Sequence, residues 1–337
     1  MLQSITLNNF GPLSSIHWPN LDRINLVIGG NGSGKTFLLK AIYSSLRTLE
    51  GYRRGNEQRS ASEILADKLY WTFQVEKIGD LVSKGAGAPL SSSLTMDDAS
   101  FSYSFGRETS KLIASLENHV PPRGSNSIFL PAKEVLSLHQ IILKSREQDR
   151  MFGFDDTYFD LAKALKIATS RGRNSVEFAR SRKQLAVLLG GVIEYEEGAG
   201  RWLFVRDRHK FPIGVTAEGI KKLAILDTLL GNRYLDGNSV VLIDEPESAL
   251  HPTAISQLLE IVAVLAERGV QFFMASHSYF VVKKLFLIAQ ERGWSIPMIS
   301  ATGSSWVCDD LQNGMPDNPI IAESISLHER EVEQALR

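Results

Sequence analysis

The sequence predicts an α/β fold: a mostly parallel core sheet, an antiparallel β lobe, and a helical lobe inserted within a single domain over 1–337. Three observations predict it. Strand and helix patterns alternate near both ends of the chain. The runs Ile24–Ile28, Val240–Ile243 and Gln271–Ala275 are almost continuously apolar, as strands covered on both faces are. Between the ends this rhythm is lost: residues 51–126 read as a mixed insertion carrying the β lobe, and 133–190 as the helical lobe.

Taken in order, Leu2–Leu7 alternates apolar and polar residues like a half-buried strand, and Asn9-Phe10-Gly11-Pro12 breaks it. After Ile24–Ile28 comes a glycine-rich turn, and Leu38, Ile42 and Leu46 then mark one face of a helix. Ala61–Phe73 reads as helix, the Gly/Ser/Pro/Ala-rich stretch Lys84–Ser93 as a loop, and Ser100–Phe105 as an antiparallel strand. Ile128–Pro131 is a short strand end. Residues 133–188 read as helices closed by Gly190-Gly191, and Val192–Tyr195 with Trp202–Val205 as a hairpin. A helix follows Thr216, with Ile220, Leu223, Ala224 and Leu230 on one side and Gly231 as its stop; another begins near Thr253.

Composition sets the class. With 337 residues and 43% apolar side chains the chain can bury a large core without staples. A net charge of −1 gives no whole-chain field toward nucleic acid or a membrane surface. Cys308 is the single cysteine, which excludes an internal disulfide framework and suits a reducing compartment. No apolar run is long enough to span a bilayer, so a cytoplasmic location without membrane contact is expected.

The chemistry is concentrated at three strand ends. Gly29-Gly30-Asn31-Gly32-Ser33-Gly34-Lys35-Thr36 matches GxxxxGK[ST], with a buried strand before it and a helix after it. Glycines let successive N–H groups turn inward on a phosphate, and the helix N-terminus adds its positive end. Lys35 is placed to bridge β- and γ-phosphates, and the Thr36 hydroxyl to bind Mg²⁺. The alternative, an accidental glycine-rich turn, fits the flanking strand and helix poorly. Val240–Ile243 delivers Asp244 and Glu245 at its C-terminal edge, where ligands sit in parallel sheets. Adjacent strand residues point to opposite sides, so Asp244 can hold Mg²⁺ while Glu245 orients and deprotonates a water. A capped strand end is the plainer reading of that pair. His277 closes Phe272–Ser276 and can hydrogen-bond a γ-phosphate oxygen, against a purely structural histidine.

Gly29–Thr36, the run Ile243–Pro252 (Ile-Asp-Glu-Pro-Glu-Ser-Ala-Leu-His-Pro) and Ala275-Ser276-His277 resemble the Walker A, Walker B/D-loop and switch-histidine motifs of ABC-type P-loop NTPases. Asp-Glu-Pro-Glu followed by Leu-His-Pro is similar to the soluble overcoming-lysogenization-defect (OLD-like, AAA_21-like) branch, with relatives in anti-phage and toxin–antitoxin systems. Leu2–Phe10 and Asn318-Pro319-Ile320-Ile321 before a charged helix look like that branch too. The resemblance implies MgATP as cofactor and a head-to-tail homodimer, with two ATP molecules sandwiched between Walker A of one chain and a signature loop of the other; whether a higher oligomer forms is left open.

By motif order that loop is Val215-Thr216-Ala217-Glu218-Gly219, making Thr216 and Gly219 candidate nucleotide contacts alongside Gly29, Asn31, Gly32, Ser33, Gly34, Lys35 and Thr36. It departs from the usual pattern: with Gly219 fixing the register, Glu218 falls near the phosphate and needs a cation or an outward orientation. Thr216 as an ordinary N-cap fits equally well. The loop after Leu130 lacks the usual glutamine; Glu134 is a substitute and Gln140 the first Gln.

Arg171, Arg173, Arg180, Arg182 and Lys183, followed by Arg201, Arg206, Arg208 and Lys210, form either a phosphate-backbone track for nucleic acid or solvated helix and hairpin faces. The residues after Ala289 carry no Asp-x-Asp pair or metal-ligand cluster, so an OLD-type nuclease domain is not expected there. The expected function is therefore a MgATP-hydrolysing switch, with Glu245, His277 and Lys35 catalytic, that controls a separate effector such as a nuclease or toxin. A RecF/SMC-like DNA-clamping repair ATPase is the alternative. A transporter subunit ranks last, since Leu-Ser-Gly-Gly-Gln is missing.

Overall fold

The computed structural model describes residues 1–168, 176–303 and 305–336. The first third runs β1 (Leu2–Phe10), β2 (Leu13–Trp18), β3 (Ile24–Ile28), α1 (Lys35–Gly51), α2 (Ala61–Phe73), β4 (Leu90–Met96), β5 (Ala99–Phe105) and β6 (Ser115–Asn118). Next come β7 (Ser127–Leu130), α3 (His139–Glu147), α4 (Asp156–Leu165), α5 (Val176–Leu189), β8 (Val192–Glu196), β9 (Arg201–Arg206) and β10 (His209–Pro212). The chain ends with α6 (Glu218–Gly231), β11 (Val240–Asp244), α7 (Pro252–Glu267), β12 (Gln271–Ser276), α8 (Tyr279–Arg292), β13 (Pro297–Thr302), β14 (Ser305–Asp310) and α9 (Pro319–Ala335).

The α/β architecture is as the sequence predicts. The core sheet has the order β14-β13-β3-β12-β11-β7; its neighbours from β13 to β7 are parallel, and β14 is an antiparallel edge. Successive side chains of the central strands go to opposite faces. Leu26, Ile28, Val241, Ile243, Phe272 and Met274 enter a core with α6, α7, α8 and the helical lobe. Val27, Val240, Leu242, Phe273 and Ala275 enter a second core with α1 and the antiparallel sheet. One sheet thus walls two hydrophobic cores, which is why these strands read as unbroken apolar runs.

The antiparallel sheet, β2-β1-β4-β5-β6, draws two of its five strands from ahead of residue 51. Asn9–Pro12, read as a break, is the tight turn of the β1–β2 hairpin, in which Phe10 pairs with Leu13; Asn9 (φ 54°) and Gly11 (φ 56°) supply the left-handed conformations. The last four residues of the expected loop Lys84–Ser93 belong to β4. Its serines mask a strand whose Leu90, Leu94 and Met96 are buried. β8 and β9 form the expected hairpin, and β10 adds a third strand that the sequence did not signal. α6 begins at Glu218 with Ala217, not Thr216, at its N-cap. Among the described residues no helix is long and apolar enough to cross a membrane.

Candidate functional site

Parallel register brings the three signalled strand ends to one edge. Ile28 pairs with Ser276, and Asp244 with Ala275, so Gly29, Glu245 and His277 all leave the sheet together. Gly34 sits at the N-cap of α1 with φ 95°, and a Cβ there would lie 2.9 Å from Leu13 Cδ2. No side chain caps α1 and its first turn holds no acidic residue, so its N–H groups face the loop as an uncompensated positive pole.

Lys35 is buried, and its Nζ donates to the carbonyls of Gly29 (2.8 Å) and Gly30 (2.9 Å). Burial pulls its ammonium pKa below the usual lysine value, opposed by Asp244, Glu245 and Glu247. The Thr36 hydroxyl lies 2.9 and 3.1 Å from the two Asp244 carboxylate oxygens. Burial pushes the Asp244 carboxyl up; the Thr36 bond works against this and the neighbouring Glu245 with it. Hard oxygens from a hydroxyl and a carboxylate are the donors Mg²⁺ takes, with waters and phosphate oxygens completing its shell. Among the described residues no group of three or more His, Cys, Asp and Glu could form a closed metal cage. The pair therefore fits a cation that arrives with a phosphate ligand.

Glu245 turns the chain out of β11 in a left-handed conformation, φ 49°, with its N–H donating to Ala275 O at 2.9 Å. Its carboxylate lies 3.4 Å from His277 Nδ1. Glu247 anchors the other side of that histidine: its Oε1 accepts from Ser276 Oγ (2.8 Å) and from the His277 N–H (3.3 Å). Asn31–Phe37, Pro12, Lys40, Thr72, Phe73, Gln74, Asp155 and Glu245 line one cavity of about 490 Å³. Asn31, Gly32, Ser33, Gly34, Lys35, Thr36 and Glu245 therefore share a single cleft. Glu247, Lys40 with its 2.6 Å bond to Asp155, and Lys222, which donates to Glu245 O at 2.7 Å, are parts of the site that sequence reasoning missed. The second Glu of Asp-Glu-Pro-Glu was the one available signal.

Thr216 and Gly219 are not brought to this cleft within one chain. Gly219 packs against the turn after β11, where a Cβ would meet Leu250 Cδ2 at 2.6 Å and Ala249 O at 2.7 Å. The cation that Glu218 requires is Lys221, 2.8 Å away and itself buried. Glu134 accepts from Ser137 N and lies 3.8 Å from Lys221, and Gln140 donates to the Tyr195 hydroxyl. Neither lines the cleft around the glycine-rich loop. Of the basic segment, Arg171 and Arg173 lie outside the described residues; Arg182, Arg201 and Lys210 pair with Asp227, Glu196 and Glu194.

Residues 88–283 match the AAA_21 family profile, described as "AAA domain, putative AbiEii toxin, Type IV TA system". The chain belongs to the AAA_21 family. No curated protein matches. Solved structures similar to this AAA_21 chain include the SMC head domain from Thermotoga maritima, at 14% identity over 92% of this chain and 98% of that one, TM-score 0.48. Two others are an Smc head bound to the C-winged helix domain of ScpA (12%, 93% and 99%, TM-score 0.53) and an Smc head with an extended coiled coil bound to the C-terminal domain of ScpA derived from Pyrococcus furiosus (12%, 98% and 99%, TM-score 0.51). The latter two establish for this AAA_21 chain the ABC-type fold of SMC heads, and at that identity nothing further.

Proposed function

We propose that the chain binds and hydrolyses MgATP, and that ATP-driven pairing of two copies makes it a switch for a separate effector protein in anti-phage defence, as in the OLD-like branch. The observation that carries the reading is the convergence of Lys35, the Thr36–Asp244 pair, Glu245 and His277 at one sheet edge beside an uncapped helix N-terminus. In it, Lys35 moves from the Gly29 and Gly30 carbonyls to phosphate oxygens, and Thr36 and Asp244 would hold Mg²⁺, whose chemistry when bound would be neutralisation of phosphate charge. Glu245 takes a proton from the attacking water, and His277 hydrogen-bonds the terminal phosphate. Thr216 and Gly219, remote from the cleft of their own chain, contact the nucleotide of the second copy.

The test is Glu245→Gln, with mass measured by light scattering with and without MgATP. The expected result is retained ATP binding, turnover reduced at least about a hundredfold and accumulation of dimers. Turnover at the parent rate would remove Glu245 as the base. The second reading, a DNA-clamping repair ATPase, needs a continuous unpaired basic track. Arg182, Arg201 and Lys210 already have carboxylate partners, which favours the effector reading; co-purifying nucleic acid released by salt would reverse that preference.

A further inference from the structure

The turn Glu245–Ala249 begins and ends in left-handed backbone on residues other than glycine: Glu245 at φ 49° and Ala249 at φ 61°. Such conformations persist only where the surroundings hold them. Helix α6 meets the turn at both strained positions. At one end Gly219 packs so closely on Ala249 and Leu250 that no side chain fits between them. At the other, Lys222 Nζ donates to Glu245 O at 2.7 Å, an oxygen that also accepts from Ser248 N at 3.0 Å. A cavity of about 300 Å³ lies beside these contacts, lined by Lys222 and Ile225 of α6, by Pro246, Ser248 and Ala249 of the turn, and by residues 131–135 after β7. The Lys222 bond and the Gly219 contact thus tie α6 to the turn at its two strained ends.

We propose that Lys222 is the positioning residue for Glu245: it fixes the main chain from which the carboxylate projects, and so transmits the placement of the α6 N-terminus to the water-activating group. The inference rests on the reading of Glu245 given above. Its geometry joins two regions that the ATP sandwich separates. The α6 N-terminus, with Glu218 and Gly219, meets the second copy's nucleotide, whereas Glu245 serves the cleft of its own chain. Arrival of the second copy at α6 thereby bears on hydrolysis in the first. Lys222 is half-buried and surrounded by carboxylates. Burial lowers its pKa, while Glu247, Glu245, Asp244 and Glu218 oppose that and favour the charged donor.

The test uses the full chain as Lys222→Met, Lys222→Arg, and Lys222→Met combined with Glu245→Gln. The Met variant is expected to lose about tenfold or more in kcat while its Kd for ATP stays within about threefold of the parent. The Arg variant, which keeps a donor, regains most of the rate. The double variant turns over no more slowly than Glu245→Gln alone, because Lys222 acts through Glu245. Amide hydrogen exchange gives a readout independent of turnover: peptides spanning residues 244–250 exchange faster in the Met variant, while those spanning 24–28 do not change. Lys222→Ala, which also lacks a donor, replaces the Met variant if the latter melts well below the parent. An unchanged kcat, or unchanged exchange at 244–250, overturns the proposal, as does a further loss in the double variant. Parent-like turnover by Glu245→Gln with fast exchange in Lys222→Met removes the hydrolytic role of Glu245 and leaves Lys222 as the anchor of the turn.

Discussion

The helix that carries Lys35 is tied to the helical lobe by buried charge, and Asp160 is the knot. Its Oδ2 accepts from the Tyr43 hydroxyl at 2.6 Å, from Lys68 Nζ at 2.9 Å and from Arg47 Nε at 3.2 Å, with Asp160 only 7% exposed. Asp160→Asn keeps an acceptor for Tyr43 and removes only the charge. Breaking a buried pair costs about 3–5 kcal/mol when the remaining charge is left alone. Here Lys68 keeps Asp156 at 2.8 Å and Arg47 keeps Glu50 at 2.9 Å, so the expected loss is smaller, about 2–3 kcal/mol. Burial pushes the Asp160 carboxyl up, but Lys68, Arg47 and the Tyr43 hydroxyl outweigh it and hold the carboxyl well below the usual carboxylate range. A depressed folded-state pKa contributes stability that is present above the unfolded value of about 3.9 and is lost as pH falls through the folded value. Urea unfolding followed by circular dichroism from pH 7 to pH 3 therefore gives a parent–variant difference that is full at neutral pH and shrinks below about pH 4. Equal stabilities at pH 7, or a difference indifferent to acid, would refute the argument that paired charge holds α1 to α4.

Two further expectations concern the cleft. Lys35→Ala removes the buried ammonium from the centre of the glycine-rich loop, and titration with a fluorescent ATP analogue is expected to show affinity reduced at least about a hundredfold. Normal affinity would show that the loop does not bind phosphate. Glu247→Ala frees both Ser276 and the His277 N–H; kcat falls about tenfold to a hundredfold with ATP affinity nearly unchanged, and parent-like kcat would mean that His277 is held without it.

The central strands were legible because burial on both faces writes itself as unbroken apolar sequence, and Ile24–Ile28 has the same bounds in the sequence and in the fold. β4 was half hidden because Ser91, Ser92 and Ser93 look like loop, although backbone pairing to β1 and β5 does not depend on apolar side chains. β2 was hidden because its hairpin turn looks like a break, and β13 and β14 were not signalled as a pair. In the site, Lys35 and Thr36, Asp244 and Glu245, and His277 could be singled out because each stands at the end of an apolar strand run in a short local pattern, and the parallel register brings those three ends to one edge. Lys222 was not. It bonds a backbone carbonyl more than twenty residues along the chain, and a lysine on a helix gives no local sign of such a partner.

The two cores that share one sheet have a consequence for how this architecture diversifies. Of the apolar residues of β11, Val240 and Leu242 face one reservoir of hydrophobic volume and Val241 and Ile243 the other. The chemistry-bearing residues sit at or just beyond the strand ends and owe their placement to the sheet itself. A change in size or shape on one side is thus screened from the opposite side by a wall of backbone hydrogen bonds. Apart from the Asp160 knot, which ties α1 and α2 to α4, packing on one side of the sheet is set separately from packing on the other, while the sheet edge keeps its place.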